Sequence, residues 1–116
     1  MSNLLDRLKE YPEMIPEGFS YEDWLENTIV IQDGADYGLF EKDIPGVVLG
    51  HYLFESRGKA AIEAGKRILS AVFTLPVFAV IGVIPEGNKR VSYISRKLGF
   101  TIHDDVAILT KDEWNG

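Results

Sequence analysis

The sequence predicts an α/β fold: a mixed, mostly antiparallel sheet of about six or seven strands with one central parallel pair, flanked by helices. Three observations predict it. Two runs of strand length, VVLGHYLF at residues 47–54 and FAVIGVI at residues 78–84, are near-continuously apolar and read as buried strands. A long helical pattern opens at Ser56-Arg57-Gly58-Lys59 and runs between them to about Phe73. Strand, helix and strand in that order form a βαβ unit, whose strands pair in parallel through a right-handed crossover. The remaining segments are short β-rich stretches separated by tight turns, which is the pattern of hairpins.

A chain of 116 residues with 46% hydrophobic residues makes one domain, residues 1–116, with room for one core. Twelve Lys and Arg face eighteen Asp and Glu, a net charge of -6. Such a chain is poorly matched to a phosphate backbone, so no nucleic-acid partner is expected. There is no cysteine, hence no disulfide framework, no thiolate chemistry and a fit to a reducing compartment. The first residues, MSNLLDRLKEYPEM, carry charges among their leucines and no apolar signal core. The longest apolar segment, residues 71–84, is broken by Pro76 and falls short of the roughly 20 residues that cross a bilayer. The expectation is a cytoplasmic protein with no membrane partner.

Each element follows from local signals. Leu4, Leu5, Leu8 and Tyr11 sit at helical spacing, with Ser2 or Asn3 as the cap and Pro12 as the stop. Ser20 reads as a second N-cap for a helix to about Asn27. Asp23 follows three residues later, and Phe19 and Trp24 take the positions of a hydrophobic staple. TIVIQ at residues 28–32 is a strand, residues 33–36 are a turn, and residues 37–42 return as the second arm of a hairpin. Pro45-Gly46 is placed for a type II turn. In the strand that follows, Leu49, His51 and Leu53 face one side; Val48, Gly50, Tyr52 and Phe54 face the other.

In the next helix Ala61, Ala64, Gly65, Ile68 and Val72 form a stripe of mainly small residues that lets it lie close to the sheet, and Ile62, Leu69 and Phe73 widen the apolar face. Leu75-Pro76 breaks it. Asn88 caps the last helix and Gly99 ends it in the left-handed conformation. Residues 100–103 and 106–111 form a final hairpin around Asp104-Asp105. The tail from Asp112 frays unless Trp114 pins it.

Three constellations carry chemistry. The helix start at residues 56–60 combines unpaired backbone N–H groups with two cations, Arg57 and Lys59. Cations at that end of a helix are unfavourable by roughly 0.3–1 kcal/mol each unless an anion compensates. Either a bound pyrophosphate or Glu55 and Glu63 can supply the compensation. The second is Asn88 through Phe100, cap to stop. The third is His51, a strand histidine whose usual pKa near 6.5 suits a base; Glu41 and Glu55 are alternatives at strand ends. His51 and His103 lie too far apart in sequence to form a metal site, and the acidic pairs lack the spacing of a calcium loop, so no metal is expected.

The order of these pieces, with Arg57-Gly58-Lys59 at the first helix start and Asn88…Leu98-Gly99-Phe100 closing the second, resembles the GNAT superfamily of acyl-CoA-dependent N-acyltransferases. The resemblance covers residues 47–100 well and the earlier part by order of elements. It implies acetyl transfer from acetyl-CoA to an amine on a small molecule or a protein. Phe54, Arg57, Gly58, Lys59 and Ala60 would hold the cofactor with Asn88, while His51 and Ser95 would occupy the catalytic positions. Trp24 and Tyr21 would line the acceptor cleft, unless Trp24 simply packs on the sheet.

The chain departs from the family pattern R/Q-x-x-G-x-G/A at Ala60 and Ile62. It also has Ser95 where a tyrosine often protonates the leaving thiolate, and serine is a poor acid. Tyr93 lies about 200° away round the helix. The chain is also similar to small phage-encoded GNAT-like proteins, some described as head assembly proteins. That similarity implies a non-catalytic assembly module with a protein partner, in host cytoplasm or virion. Ile62 discriminates: filling the groove between the central strands favours the module, and pointing into the core keeps the enzyme.

Overall fold

The structure, a computed structural model, describes residues 4–114. Six strands form one mixed sheet: β1 (Thr28–Asp33), β2 (Asp36–Lys42), β3 (Val47–Leu53), β4 (Ala79–Val83), β5 (Thr101–His103) and β6 (Val106–Thr110). Their order is β1-β2-β3-β4-β6-β5. Only β3 and β4 pair in parallel. Helices α1 (Leu4–Leu8), α2 (Tyr21–Glu26), α3 (Gly58–Val72) and α4 (Lys89–Lys97) flank the sheet, with 3-10 turns at Pro12–Met14 and Lys111–Glu113. The fold class is the expected one. The Ser2 or Asn3 cap lies outside the described residues.

Local signals set the entries and exits. Val47 N–H donates to Ile44 O at 3.0 Å, and Gly46 has φ +84°, the geometry of a type II turn. Ser20 Oγ accepts from Asp23 N–H at 3.1 Å, and Asn88 Oδ1 accepts from Val91 N–H at 3.0 Å. Phe19, 57% exposed, forms no closed staple over the buried Trp24. At the end of α4, Gly99 N–H donates to Arg96 O and Phe100 N–H to Ser95 O, both at 3.0 Å, with Gly99 at φ +101°. That is a complete Schellman motif.

Several expected boundaries move. α1 ends at Leu8, short of Tyr11, β3 ends at Leu53, and the expected 33–36 turn narrows because Asp33 and Asp36 pair in the hairpin. Two further shifts have visible causes. The run at residues 78–84 is not buried throughout. Phe78 lies over Gly46, where a Cβ would approach its ring to 2.6 Å, and it remains 55% exposed outside the strand. Val83 is 69% exposed. The helix expected from Ser56 begins at Gly58, because the Ser56 amide and hydroxyl are both given to Asp36.

The main core joins α3 and α4 to one face of the sheet through Phe40, Val48, Ile68, Leu69, Val72, Val80, Leu98 and Leu109. The stripe of Ala61, Ala64, Gly65, Ile68 and Val72 is buried as expected. The tail is pinned: Trp114 packs on Phe73 with ring centroids 6.1 Å apart. On the other face α1 and α2 cover a second cluster of Leu8, Trp24, Leu39 and Leu53. Close approach of α3 requires Gly38 on β2, since a Cβ there would lie 2.5 Å from Ile68 Cγ2 and 2.9 Å from the Phe40 ring. Gly38→Ala is expected to lower stability by about 1–3 kcal/mol, the usual cost of overpacking. A urea midpoint equal to that of the parent would show that Ile68 gives way freely.

Candidate functional site

β3 and β4 pair over three positions only: Val47 with Ala79, Val48 with Val80, and Leu49 with Ile81. Beyond Leu49 each strand stays with its outer neighbour. β3 remains on β2 as far as Leu53 opposite Tyr37, and β4 remains on β6 as far as Val83 opposite Val106. The two strands therefore part in the middle of the sheet. Their facing edges, from Gly50 and from Gly82 onward, keep backbone N–H and C=O groups that no ladder uses. A Cβ added at Gly82 would meet only Gly50 O, at 4.0 Å, so the space there would take a small side chain.

A pocket of about 360 Å³ opens beside the end of β3, between α3 and α4. Tyr52, Leu53 and Phe54 form its β3 wall, Arg57 and Ala61 its α3 wall, and Asn88, Arg90, Ile94, Ser95 and Leu98 its α4 wall. Tyr11 and Met14 close it from the N-terminal segment. A second groove of about 740 Å³ lies beyond Asn88, lined by Glu86, Lys89, Arg96, Asp104 and Asp105. It is larger, but it is open and carries both signs of charge along its rim. Asn88 lines both.

The start of α3 differs from the other helix starts. Ser20 caps α2, Asn88 caps α4, and Thr110 with Glu113 forms a capping box on the last 3-10 turn. Arg57, in the N-cap position of α3, makes no side-chain cap and no acid sits in the first turn. The first amides of α3 are thus left uncapped by any side chain, with the positive end of the helix dipole behind them. Gly58 has φ +58°, a left-handed conformation that glycine adopts at no cost.

The loop before α3 is held by Asp36. One carboxylate oxygen accepts from Glu55 N–H at 2.7 Å and Ser56 N–H at 3.0 Å, and the other accepts from Ser56 Oγ at 2.5 Å. Burial alone would raise the Asp36 pKa. The Ser56 hydroxyl and the two amides, helped by the charge of Arg7, outweigh burial and hold it below the ordinary carboxylate value. Arg57 turns back on the same loop, its Nη1 donating to the carbonyls of Phe54, Glu55 and Ser56 at 3.2–3.3 Å. Its compensation is neither Glu55 nor Glu63 but three backbone carbonyls.

Four of the residues singled out in the sequence, Phe54, Arg57, Asn88 and Ser95, come together in the pocket. Gly58, Lys59 and Ala60 lie exposed on the first turn of α3 beside it. Ile62 packs against the main core and is not among the pocket's walls, so its branched side chain does not fill the gap. His51 stands on the opposite face of the sheet from Ser95. Its Nε2 is 3.3 Å from Glu41 Oε1, and its ring meets Trp24 edge-on with centroids 5.6 Å apart. Trp24 is 2% exposed and belongs to the second core cluster, with its Nε1 unpartnered among the described residues. It packs on the sheet and does not line the pocket. Tyr93 is 55% exposed beneath Lys97, away from the site.

Tyr52 and Asp36 are the residues that sequence reasoning passed over. The alternation along β3 already put Tyr52 on the face of Phe54. Nothing local marks Asp36 as more than a turn residue.

Among the described residues no group of three or more His, Asp or Glu is arranged to hold a metal ion, and no helix is long and apolar enough to cross a membrane. No protein-family model matches the chain, and no curated protein matches it.

Proposed function

We propose that the chain is an acyl-CoA-dependent N-acyltransferase of the GNAT type, moving an acetyl group from acetyl-CoA to an amine. The observation that supports it best is the parting of β3 from β4 beside the uncapped start of α3. An extended pantetheine arm needs a free strand edge, which it joins as an added strand would. The edge of β3 beyond Leu49 would pair with the amides of the arm, and Phe54 would pack against it. The pyrophosphate would rest on the amides of Gly58, Lys59 and Ala60, with Lys59, Arg57 and Arg90 supplying positive charge. Asn88, already spent as a cap through Oδ1, has its amide nitrogen left for the cofactor arm. The packing of Ile62 into the core removes the main obstacle that the family pattern raised. His51, with Glu41 beside it, would take the amine's proton from the opposite face of the sheet.

A second reading, a non-catalytic assembly module of the phage-head kind, is favoured by the self-satisfied loop. Asp36 and Arg57 already occupy its amides and carbonyls. Calorimetric titration with acetyl-CoA and with CoA separates the two. The acyltransferase is expected to bind both at micromolar levels, more weakly as salt rises because exposed charges are screened. Lys59→Ala is expected to weaken both roughly fivefold, the scale of one exposed cation at a helix start. No heat at millimolar ligand would leave the assembly module as the reading.

A further inference from the structure

We propose that two copies of the chain join edge to edge through β1, antiparallel across a two-fold axis at Val30, so that their sheets run on as one. β1 and β5 are the two ends of the sheet. Proteins blunt open edges with short strands, lysine, proline or bulges, because an unpaired row of N–H and C=O groups templates another strand. β5 follows that practice, with three residues. β1 does not. It has six residues, TIVIQD, with no lysine and no proline. Its register on β2 runs without a bulge from Thr28 opposite Glu41 to Asp33 opposite Asp36.

The parity of the ladder shows which groups stand open. Lys42 N–H donates to Asn27 O at 3.0 Å, so Asn27 and Lys42 form a hydrogen-bonded pair. Such pairs alternate along an antiparallel ladder, so Ile29, Ile31 and Asp33 turn their backbone groups to β2. Thr28, Val30 and Gln32 turn theirs outward. Among the described residues, no backbone hydrogen bond outside the ladders involves these three. The side chains of Thr28 and Gln32 bond elsewhere, to Trp24 O at 2.7 Å and Gly34 O at 2.9 Å. Val30 is 41% exposed at the middle of the strand. The one charge on β1, Asp33, is held by Arg67 Nε and Nη2 at 2.6 and 3.1 Å and does not guard the edge.

The edge fits a second copy of itself. With the axis at Val30, Thr28 faces Gln32 of the second copy, Val30 faces Val30 and Gln32 faces Thr28. Each facing pair exchanges two N–H···O bonds. The two exposed valines cover each other. On the face toward α3, Ile29 stands against Ile31 of the second copy and extends the apolar layer that both already form with the main core. Asp33 falls opposite the neutral Asn27, so no like charges oppose. An axis at Ile29 or Ile31 would set Val30 against Thr28 or Gln32 and lose the valine match. The gap between β3 and β4 lies beyond β2 and β3 and stays open.

Sedimentation equilibrium over a concentration series tests the pairing. The interface is small, so the dimer dissociates on dilution. The parent is expected to rise from 13.0 kDa toward twice that mass as its concentration climbs into the millimolar range. Val30→Lys and Val30→Glu each set like charges directly opposite and should weaken association roughly tenfold. Their equimolar mixture should restore it, because lysine then faces glutamate. A parent that stays monomeric throughout overturns the proposal. So does undiminished association of both variants, or a mixture that associates no better than its components. Amide hydrogen exchange on the parent gives a readout that needs no substitution. Protection of Thr28, Val30 and Gln32 should rise with concentration, while Ile29 and Ile31, bonded to β2, hold constant. Protection of those three amides that does not change with concentration also overturns the pairing.

Discussion

Asp36→Ala is expected to cost about 3 kcal/mol of stability and to loosen the loop that leads into α3. The carboxylate is 2% exposed and accepts three hydrogen bonds from Glu55 and Ser56. Hydrogen bonds to a charged group contribute roughly 1.5–3 kcal/mol each, and a donor stripped of its acceptor keeps its desolvation cost. These three share one carboxylate and one loop, so they do not add in full. The expected loss is still a large part of the roughly 5–15 kcal/mol that holds a domain folded. Urea denaturation at neutral pH, with an unchanged slope, measures it.

The acid limb gives an independent check. The folded-state pKa of Asp36 is lowered, so its contribution is complete above the unfolded value of about 3.9 and disappears as pH falls through the lower folded value. Parent stability should therefore drop steeply below about pH 4, and Asp36→Asn should drop less. Parallel acid limbs would mean that Asp36 is not the group whose protonation loosens this loop. The same variants should bind acetyl-CoA more weakly, because the loop orients the first turn of α3.

Phe40→Ala is expected to be the most damaging single truncation, at about 3–5 kcal/mol. Phe40 is fully buried at the middle of β2, within the main core, and its ring braces Tyr52. Truncation loses the transfer energy of the ring and leaves a cavity between α3 and the sheet, since Ile68 and Val80 can collapse only in part. Phe40→Leu, which retains most of the volume, should cost roughly 1–2 kcal/mol and keep the fold. A Phe40→Leu protein as unstable as Phe40→Ala would show that the shape of the ring, and not its volume, holds this part of the core.

The elements and their limits were legible wherever the signal is carried by neighbours along the chain. Pro45 and Gly46 demand a type II turn because proline presets one dihedral angle and glycine accepts the next. Ser20 and Asn88 reach amides three residues ahead, and Gly99 closes α4 because only a residue tolerant of positive φ ends a helix that way. The apolar runs at residues 47–54 and 78–84 with a helix between them dictate a parallel pair, since no shorter connection joins parallel strands. The stripe on α3 announces which face meets the sheet. The caps and turns act over about four residues, the stripe and the strand–helix–strand order are read from pattern along the chain, and each appears in the structure.

What the chain order could not disclose lies between residues far apart. That β3 and β4 pair for three positions and then part depends on the partners each strand keeps on its other side. Asp36 leaves the role of a turn residue because the fold brings the amides of Glu55 and Ser56, about 20 positions on, to its carboxylate. Arg57 turns inward because three loop carbonyls lie within its reach. His51 and Ser95 end on opposite faces of the sheet, and Tyr52 folds back over Gly50 because two aromatic rings from β2 and the β3 exit leave it that one direction. The sequence by itself determined where strands, helices and turns stand, because local sterics and backbone hydrogen bonding act between near neighbours. Only the tertiary structure decided which side chains share the gap, because close packing settles that among residues the chain keeps apart.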